Sequence, residues 1–266
     1  MRHPVHSALA GTLLTGLLIT AAAPLPACAQ TSNPSAEEIV TRLNQHDRER
    51  QIALQQYGSE RTYHIDYHGP MGDRTAVVHA RMDFSAPDQK HFAVVSETGS
   101  QVFCHKVLRK LMESEQEGAL EANHLRTMLS SQNDNLKLVG EDDLNGIRTW
   151  VLEVSPKVDS KFNYKGKVWV SKQDYAVVRI VGSPAKNPTW LTSSATFDYR
   201  YARHGDFWLP QRNVTISHVR MGGEVTLTVD YGTYSIVSGP ARSVATDTYE
   251  APPRPAALSK SLVAQQ

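Results

Sequence analysis

Cysteine is almost missing from this chain: its 266 residues include two, Cys28 and Cys104. Cys28 falls in a leader expected to be lost or modified, so no intramolecular disulfide is expected. Stability must therefore come from core burial, which about 200 residues can supply as one domain. An excess of charge is missing too, with 28 Lys+Arg against 27 Asp+Glu. That balance argues against a nucleic-acid binder, which would show a basic excess or stripe, and against a strongly charged membrane-surface protein. The sequence also lacks a G-x-S-x-G elbow, a P-loop, a dinucleotide fingerprint and an H-E-x-x-H helix. No constellation supports an enzyme, and no cofactor or metal is expected. Past the N-terminus, no segment is apolar enough to span a bilayer, which takes roughly 20 apolar residues.

The N-terminus reads as an export signal over residues 1–29. Arg2 supplies the positive start, and an apolar stretch runs from Leu9 to Ala23 before Pro24 and Pro26 break it. Ala27-Cys28-Ala29 fits the small-x-small pattern of a signal-peptidase site, with Gln30 as the new N-terminus. Leu25-Pro26-Ala27-Cys28 also resembles a bacterial lipobox. Two outcomes stay open: cleavage after Ala29 would give a periplasmic protein, and lipidation of Cys28 an anchored one. Losing the leader removes Arg2 alone among charged residues, leaving 27 basic against 27 acidic.

A polar linker over residues 30–34 precedes a helix. Ser35 and Glu38 have the spacing of a capping box, and the apolar positions Ile39, Leu43, Ile52 and Leu54 carry the helix to about Gln56. Its middle, 44–51, is almost wholly polar, so one side of it is expected to face solvent. The period then changes to two. Tyr63, Ile65 and Tyr67 alternate with His64, Asp66 and His68, as a half-buried strand requires. Val78, Ala80, Met82 and Phe84 form a second run, and 92–95 a third. From about Gln101 to Ser131 the pattern is helical, with Gly118 separating two helices, the second near 120–129. Strands return at 136–139, 148–154, 167–171, 176–182, 195–202, 207–220 and 224–233. Short turns join them, such as Asp143-Leu144-Asn145-Gly146. Helices set between strands without regular βαβ alternation indicate an α+β domain over 35–238. About ten sequential strands suggest a strongly curved open sheet or incomplete antiparallel barrel. The Pro/Ala/Ser-rich segment 239–266 reads as a disordered tail.

Candidate chemistry is sparse. Cys104 and His105 are adjacent on a helical stretch, where side chains diverge by about 100°, so Cys104 reads as a buried structural residue. His64, Asp66 and His68 share one strand face, with His79 on the next strand. Such a row can ligate a metal, but its members sit roughly 6–7 Å apart along the strand, and a solvated polar face is the simpler reading. A metal-dependent hydrolase there is the remotest alternative. Asn213-Val214-Thr215 matches a glycosylation sequon, without consequence in a bacterial envelope.

In the strands around Phe197 and Leu227 the large apolar side chains share one face. That face must be covered, either by helices that plug it as an ordinary core or by helices that act as a lid over an apolar ligand cavity.

The run Tyr164-Lys-Gly-Lys-Val-Trp-Val-Ser-Lys-Gln-Asp-Tyr-Ala-Val-Val-Arg179, then Pro184-Ala-Lys-Asn-Pro188 and Gly205-Asp-Phe-Trp-Leu-Pro-Gln-Arg-Asn213, resembles the outer-membrane lipoprotein-sorting protein family (LolA/LolB-like). The likeness covers roughly 35–237. It implies an incomplete barrel of about eleven strands, lidded by helices around an apolar cavity, in proteins that carry or receive lipoprotein acyl chains. A related fold serves an envelope-stress regulator. The long insertion and the extra tail depart from the pattern, and no lid-locking arginine is matched to a position. On this resemblance the chain is expected to be a monomeric periplasmic binding protein for a lipid or acyl chain, with another envelope protein as an alternative partner. The expected lining is Tyr63, Ile65, Tyr67, Val78, Ala80, Met82, Phe197, Tyr199, Leu227 and Val229, with Leu108 and Leu111 on the lid.

Overall fold

The computed structural model describes residues 33–70, 72–118, 128–160, 163–187, 192–220 and 222–239. The leader with Cys28, most of the second insertion helix and nearly all of the tail lie outside the described residues. Residues 34–266 form one of two compact units, and it alone is considered below.

Helix α1 spans Ala36–Ala53 and starts where the sequence places it, at a complete capping box between Ser35 and Glu38. It ends earlier than its apolar spacing suggests. Leu54 and Gln56 are strand residues, paired with Ser238 and Val237. Pairing on both sides there satisfies more backbone groups than another helical turn would. Strand β1 is therefore long, Leu54–His68. It is followed by β2 (Arg74–Ser85), β3 (Gln89–Gly99), a π-helical turn (Phe103–Leu108) and α2 (Arg109–Gly118). The rest is β4 (Asp134–Leu144), β5 (Ile147–Pro156), β6 (Tyr164–Ser171), β7 (Val177–Pro184), β8 (Thr192–His204), β9 (Phe207–Val219) and β10 (Glu224–Ser238). The β4–β5 turn is set by Asn145 (φ 56°) and Gly146 (φ 87°). Two successive positive φ values are what a two-residue hairpin needs.

All ten strands join one open antiparallel sheet, in the order β3-β2-β1-β10-β9-β8-β7-β6-β5-β4. The first and last strands meet in its interior, and the consecutive strands β3 and β4 form its two edges. Each edge strand carries a bulge, at Val95 in β3 and Val139 in β4. Bulges of this kind discourage a foreign strand from adding to an exposed edge.

This topology positions the insertion. The chain must pass from one edge of the sheet to the other between β3 and β4, and the π-turn and α2 lie against the sheet face on the way. The π-turn and α2 pack on β1, β2 and β10 through Cys104, Val107, Leu108 and Met112. After the segment 119–127, Leu129 is buried beside α1 on the β5–β8 half. Leu129 itself is not helical here, and its carbonyl accepts a hydrogen bond from Asn44 Nδ2 (2.9 Å). The polar middle of α1 is therefore not simply solvated: Asn44 is buried, and Arg50 bonds both Asp47 and the Asp174 carbonyl.

Candidate ligand-binding face

Strand register defines the inner face. One row of directly paired residues crosses nine strands: Val78, Tyr63, Val229, Asn213, Tyr199, Ile180, Val168, Leu152 and Leu138. A parallel row runs through Ala76, Ile65, Leu227, Thr215 and Phe197 to a facing pair of glycines, Gly182 and Gly166. A Cβ on Gly166 would lie 2.2 Å from the Val181 carbonyl oxygen, so only glycine fits there. Paired residues in an antiparallel sheet share a face, so both rows lie on the side that the helices cover.

That face is divided. On one half, Ile39, Val40 and Leu43 of α1 pack on Leu152, Val154, Val168, Ile180, Phe197 and Tyr199. On the other, the π-turn and α2 pack on β1, β2 and β10. Strand β9 runs between them, and it turns polar side chains inward: Thr215 and Ser217 are buried and Asn213 partly so. Its apolar Val214 and Ile216 alternate with these and point outward, Ile216 being 36% exposed. Asn213 Nδ2 donates to the Tyr231 hydroxyl (2.9 Å), and the Tyr199 and Thr215 hydroxyls lie 3.4 Å apart.

Of the twelve predicted lining residues, nine belong to or pack against the α2 half: Tyr63, Ile65, Tyr67, Val78, Ala80, Leu108, Leu111, Leu227 and Val229. Phe197 and Tyr199 belong to the α1 half. Met82 is fully buried but lies in neither cluster. All except Leu111 are at least nine-tenths buried. The structure thus brings most of them together, beneath the insertion.

Beside them lies an ionic group that the sequence reading did not identify. Arg61 is at an inward position of β1, two residues before Tyr63, with its side chain 2% exposed. Its Nη1 donates to both carboxylate oxygens of Glu115 on α2, at 2.9 and 2.7 Å. Lys90 Nζ of β3 donates to the same carboxylate at 3.0 Å. The guanidinium lies between the rings of Phe92 and Tyr231, 5.2 and 4.8 Å from their centroids. Burial would raise the Glu115 carboxyl, but Lys90 and Arg61 outweigh it and hold it at about 2. For Arg61, burial favours the neutral form, and Glu115 more than offsets that. Desolvation drives the Tyr63, Tyr201 and Tyr231 phenols far above the usual tyrosine range. Tyr201 and Tyr231 keep some accessible surface and pack against the α1 and α2 clusters respectively.

With this geometry in place, comparison with solved structures is informative about likeness alone. An outer-membrane lipoprotein-sorting protein domain from Vibrio parahaemolyticus matches over 76% of this chain and 92% of its own, at 14% identity and TM-score 0.42. A DUF1329 family protein from Desulfovibrio piger matches over 76% and 91%, at 12% identity and TM-score 0.38. A LolA superfamily protein from Nitrosomonas europaea matches over 78% and 96%, at 10% identity and TM-score 0.34. These neighbours include a lipoprotein-sorting domain and a LolA superfamily protein. At these identities and scores they are likenesses alone and assign no function. No family model and no curated protein matches the sequence.

The other candidate residues stay apart. His64 Nε2 lies 3.4 Å from Asp66 Oδ1, His68 Nδ1 faces Asp73 at 3.2 Å, and His79 Nδ1 meets the Thr62 hydroxyl at 3.1 Å. Among the described residues, no group of three or more His, Cys, Asp or Glu side chains is arranged to hold a metal ion. Cys104 is buried, its Sγ 3.6 Å from the Thr98 carbonyl oxygen. Burial and the Glu97 carboxylate push its thiol up, which opposes thiolate chemistry. His105 Nε2 contacts Gln101 (2.7 Å).

Proposed function

We propose that this is a non-enzymatic protein of the bacterial envelope that shelters a lipid or lipoprotein acyl chain against the inner face of its half-barrel. The observation that carries this reading is the division of that face. The α1 half is covered by one helix, and the β1/β2/β10 half by a separate insertion that packs Cys104, Val107, Leu108 and Met112 on it and is tied to the sheet by Glu115. Partly accessible Tyr201 and Tyr231 lie near the seam. In this reading the π-turn and α2 form a lid, and the buried residues beneath it meet ligand when the lid shifts. Each CH₂ group transferred from water is worth about 0.8 kcal/mol, so an acyl chain has ample driving force to replace lid contacts. The export signal and the LolA-like resemblance support an envelope location.

Purification from the native envelope followed by native mass spectrometry tests this. The expected result is a bound acyl species together with a rise in Tm on adding C12–C16 acyl ligands. Protein with no bound lipid and no thermal response to any of them would sink it. The same spectrum reports cleavage after Ala29 or lipidation at Cys28.

The packing of Ile39, Val40 and Leu43 against β5–β8 favours a second reading, a filled scaffold whose outer surface meets another envelope protein. Acyl ligands would then leave the NMR signals of Leu227 and Val229 unmoved.

A further inference from the structure

Strand β9 places three polar side chains, Asn213, Thr215 and Ser217, at alternate positions on the inner face, where their neighbours in register are apolar or aromatic. Apolar residues flank them in register: Val229, Leu227 and Val225 on β10, and Tyr199, Phe197 and Ala195 on β8. Three such residues along the seam between two apolar clusters weaken the core unless they have work to do, because buried polar groups need partners. The amide of Asn213 shows what is left over. Its Nδ2 is spent on the Tyr231 hydroxyl, while its Oδ1 is buried and has no hydrogen-bond partner. A buried acceptor left without a donor destabilises the fold. Asn44 and Asn163 also leave a side-chain oxygen unpaired, but their Nδ2 groups tie the chain at Leu129 and Val158, and neither lies on this seam.

Resting on the acyl-binding reading, we propose that the β9 column recognises the head of the chain, and that Asn213 Oδ1 accepts a hydrogen bond from a donor there: the amide N–H of an N-acyl amphiphile. The hydrocarbon lies along Leu227 and Val229, and the Thr215 hydroxyl, beside that of Tyr199, is placed for the neighbouring carbonyl. An ester of the same length presents no donor and leaves Oδ1 unpaired. The column therefore reads linkage chemistry, which an apolar cavity alone cannot do.

The test compares N-methyldodecanamide with methyl dodecanoate, both below their aggregation limits, on the mature protein by tryptophan fluorescence and calorimetry. The amide is expected to bind about tenfold more tightly, and Asn213→Leu is expected to abolish that preference while keeping ester binding. Equal affinity of the two probes for the unaltered protein overturns the proposal and leaves acyl binding intact. Binding of neither overturns both. The comparison on the unaltered protein decides the matter even if Asn213→Leu folds poorly. If the amide preference holds, an N-dodecanoyl dipeptide set against N-dodecanoyl glucosamine tells whether the acylated partner is a peptide or a sugar lipid.

Discussion

Arg61 on β1 and Glu115 on α2 are joined at 2.7 Å across the interface between sheet and insertion. The guanidinium is almost wholly buried, so the pair acts as a fixed link. Removing one partner of a buried pair leaves the other charge uncompensated, typically at about 3–5 kcal/mol. Glu115→Ala is expected to destabilise the fold by roughly 3 kcal/mol in chemical denaturation and to open α2 to proteolysis. The triple variant Arg61→Met/Lys90→Met/Glu115→Leu, which leaves no member of the group charged, is expected to recover most of that loss. Equal losses in the single and triple variants would show that the link is not ionic.

The same link predicts an acid sensitivity. The Glu115 carboxyl is held at about 2, below its ordinary value of 4.5. A depressed carboxyl contributes stability that is present above the unfolded value and lost as pH falls through the folded one. Native α2 is therefore expected to loosen between pH 4.5 and 2, seen as faster amide exchange over 109–118. In Glu115→Gln the exchange rates over that window should not change with pH beyond the intrinsic chemistry.

Much of the fold was legible, for a physical reason. Period-two alternation and turn residues are local, so the strands around Tyr63, Val78, Phe197 and Leu227 could be read from their own residues. Strand ends depend on partners: Leu54–Gly58 looks helical or turn-like alone and is extended because β10 and β2 pair with it. That the strand residues among the predicted lining share a buried face was legible, but not the division of that face into two clusters, which depends on where α1 lands. Arg61 has the same strand parity as Tyr63 but was not identified, because its partner Glu115 lies 54 residues away. The β9 column was hidden because Val214 and Ile216 imitate a core face.

Asp47 of α1 gives the opposite pH dependence. Burial raises its carboxyl to about 7 from an ordinary 3.8, against the lowering effect of Arg50 at 2.8 Å. A raised folded value means stability that is fully present below the unfolded value and declines as pH rises toward 7. Urea midpoints of the unaltered protein are expected to fall between about pH 4 and pH 7, and those of Asp47→Asn to fall less. Parallel curves for the two proteins would refute the assignment.

The start of α1 offers a smaller, cleaner measurement. Ser35 Oγ accepts from the Glu38 amide at 3.2 Å, and Glu38 Oε2 accepts from the Ser35 amide at 2.7 Å. Ser35→Ala is expected to cost about 1 kcal/mol with an unchanged denaturant slope. A loss below roughly 0.3 kcal/mol would mean that packing of Ile39 and Leu43 holds the helix start without the cap.

The inverted alternation of β9 can be tested without any ligand. In an antiparallel ladder a one-residue slip moves every side chain to the other face. The observed register, with Thr215 opposite both Leu227 and Phe197, turns Thr215 inward and Ile216 outward. Hydrophobicity alone argues for the reverse, with Val214 and Ile216 in the core. Because a charge buried without a partner is far more costly than one on the surface, aspartate reports which face a position occupies. Ile216→Asp is expected to cost less than about 1 kcal/mol, and Thr215→Asp about 3 kcal/mol or more. If the larger loss fell on Ile216 instead, the polar column would lie on the outer face, and Asn213 could not meet a ligand beneath the insertion.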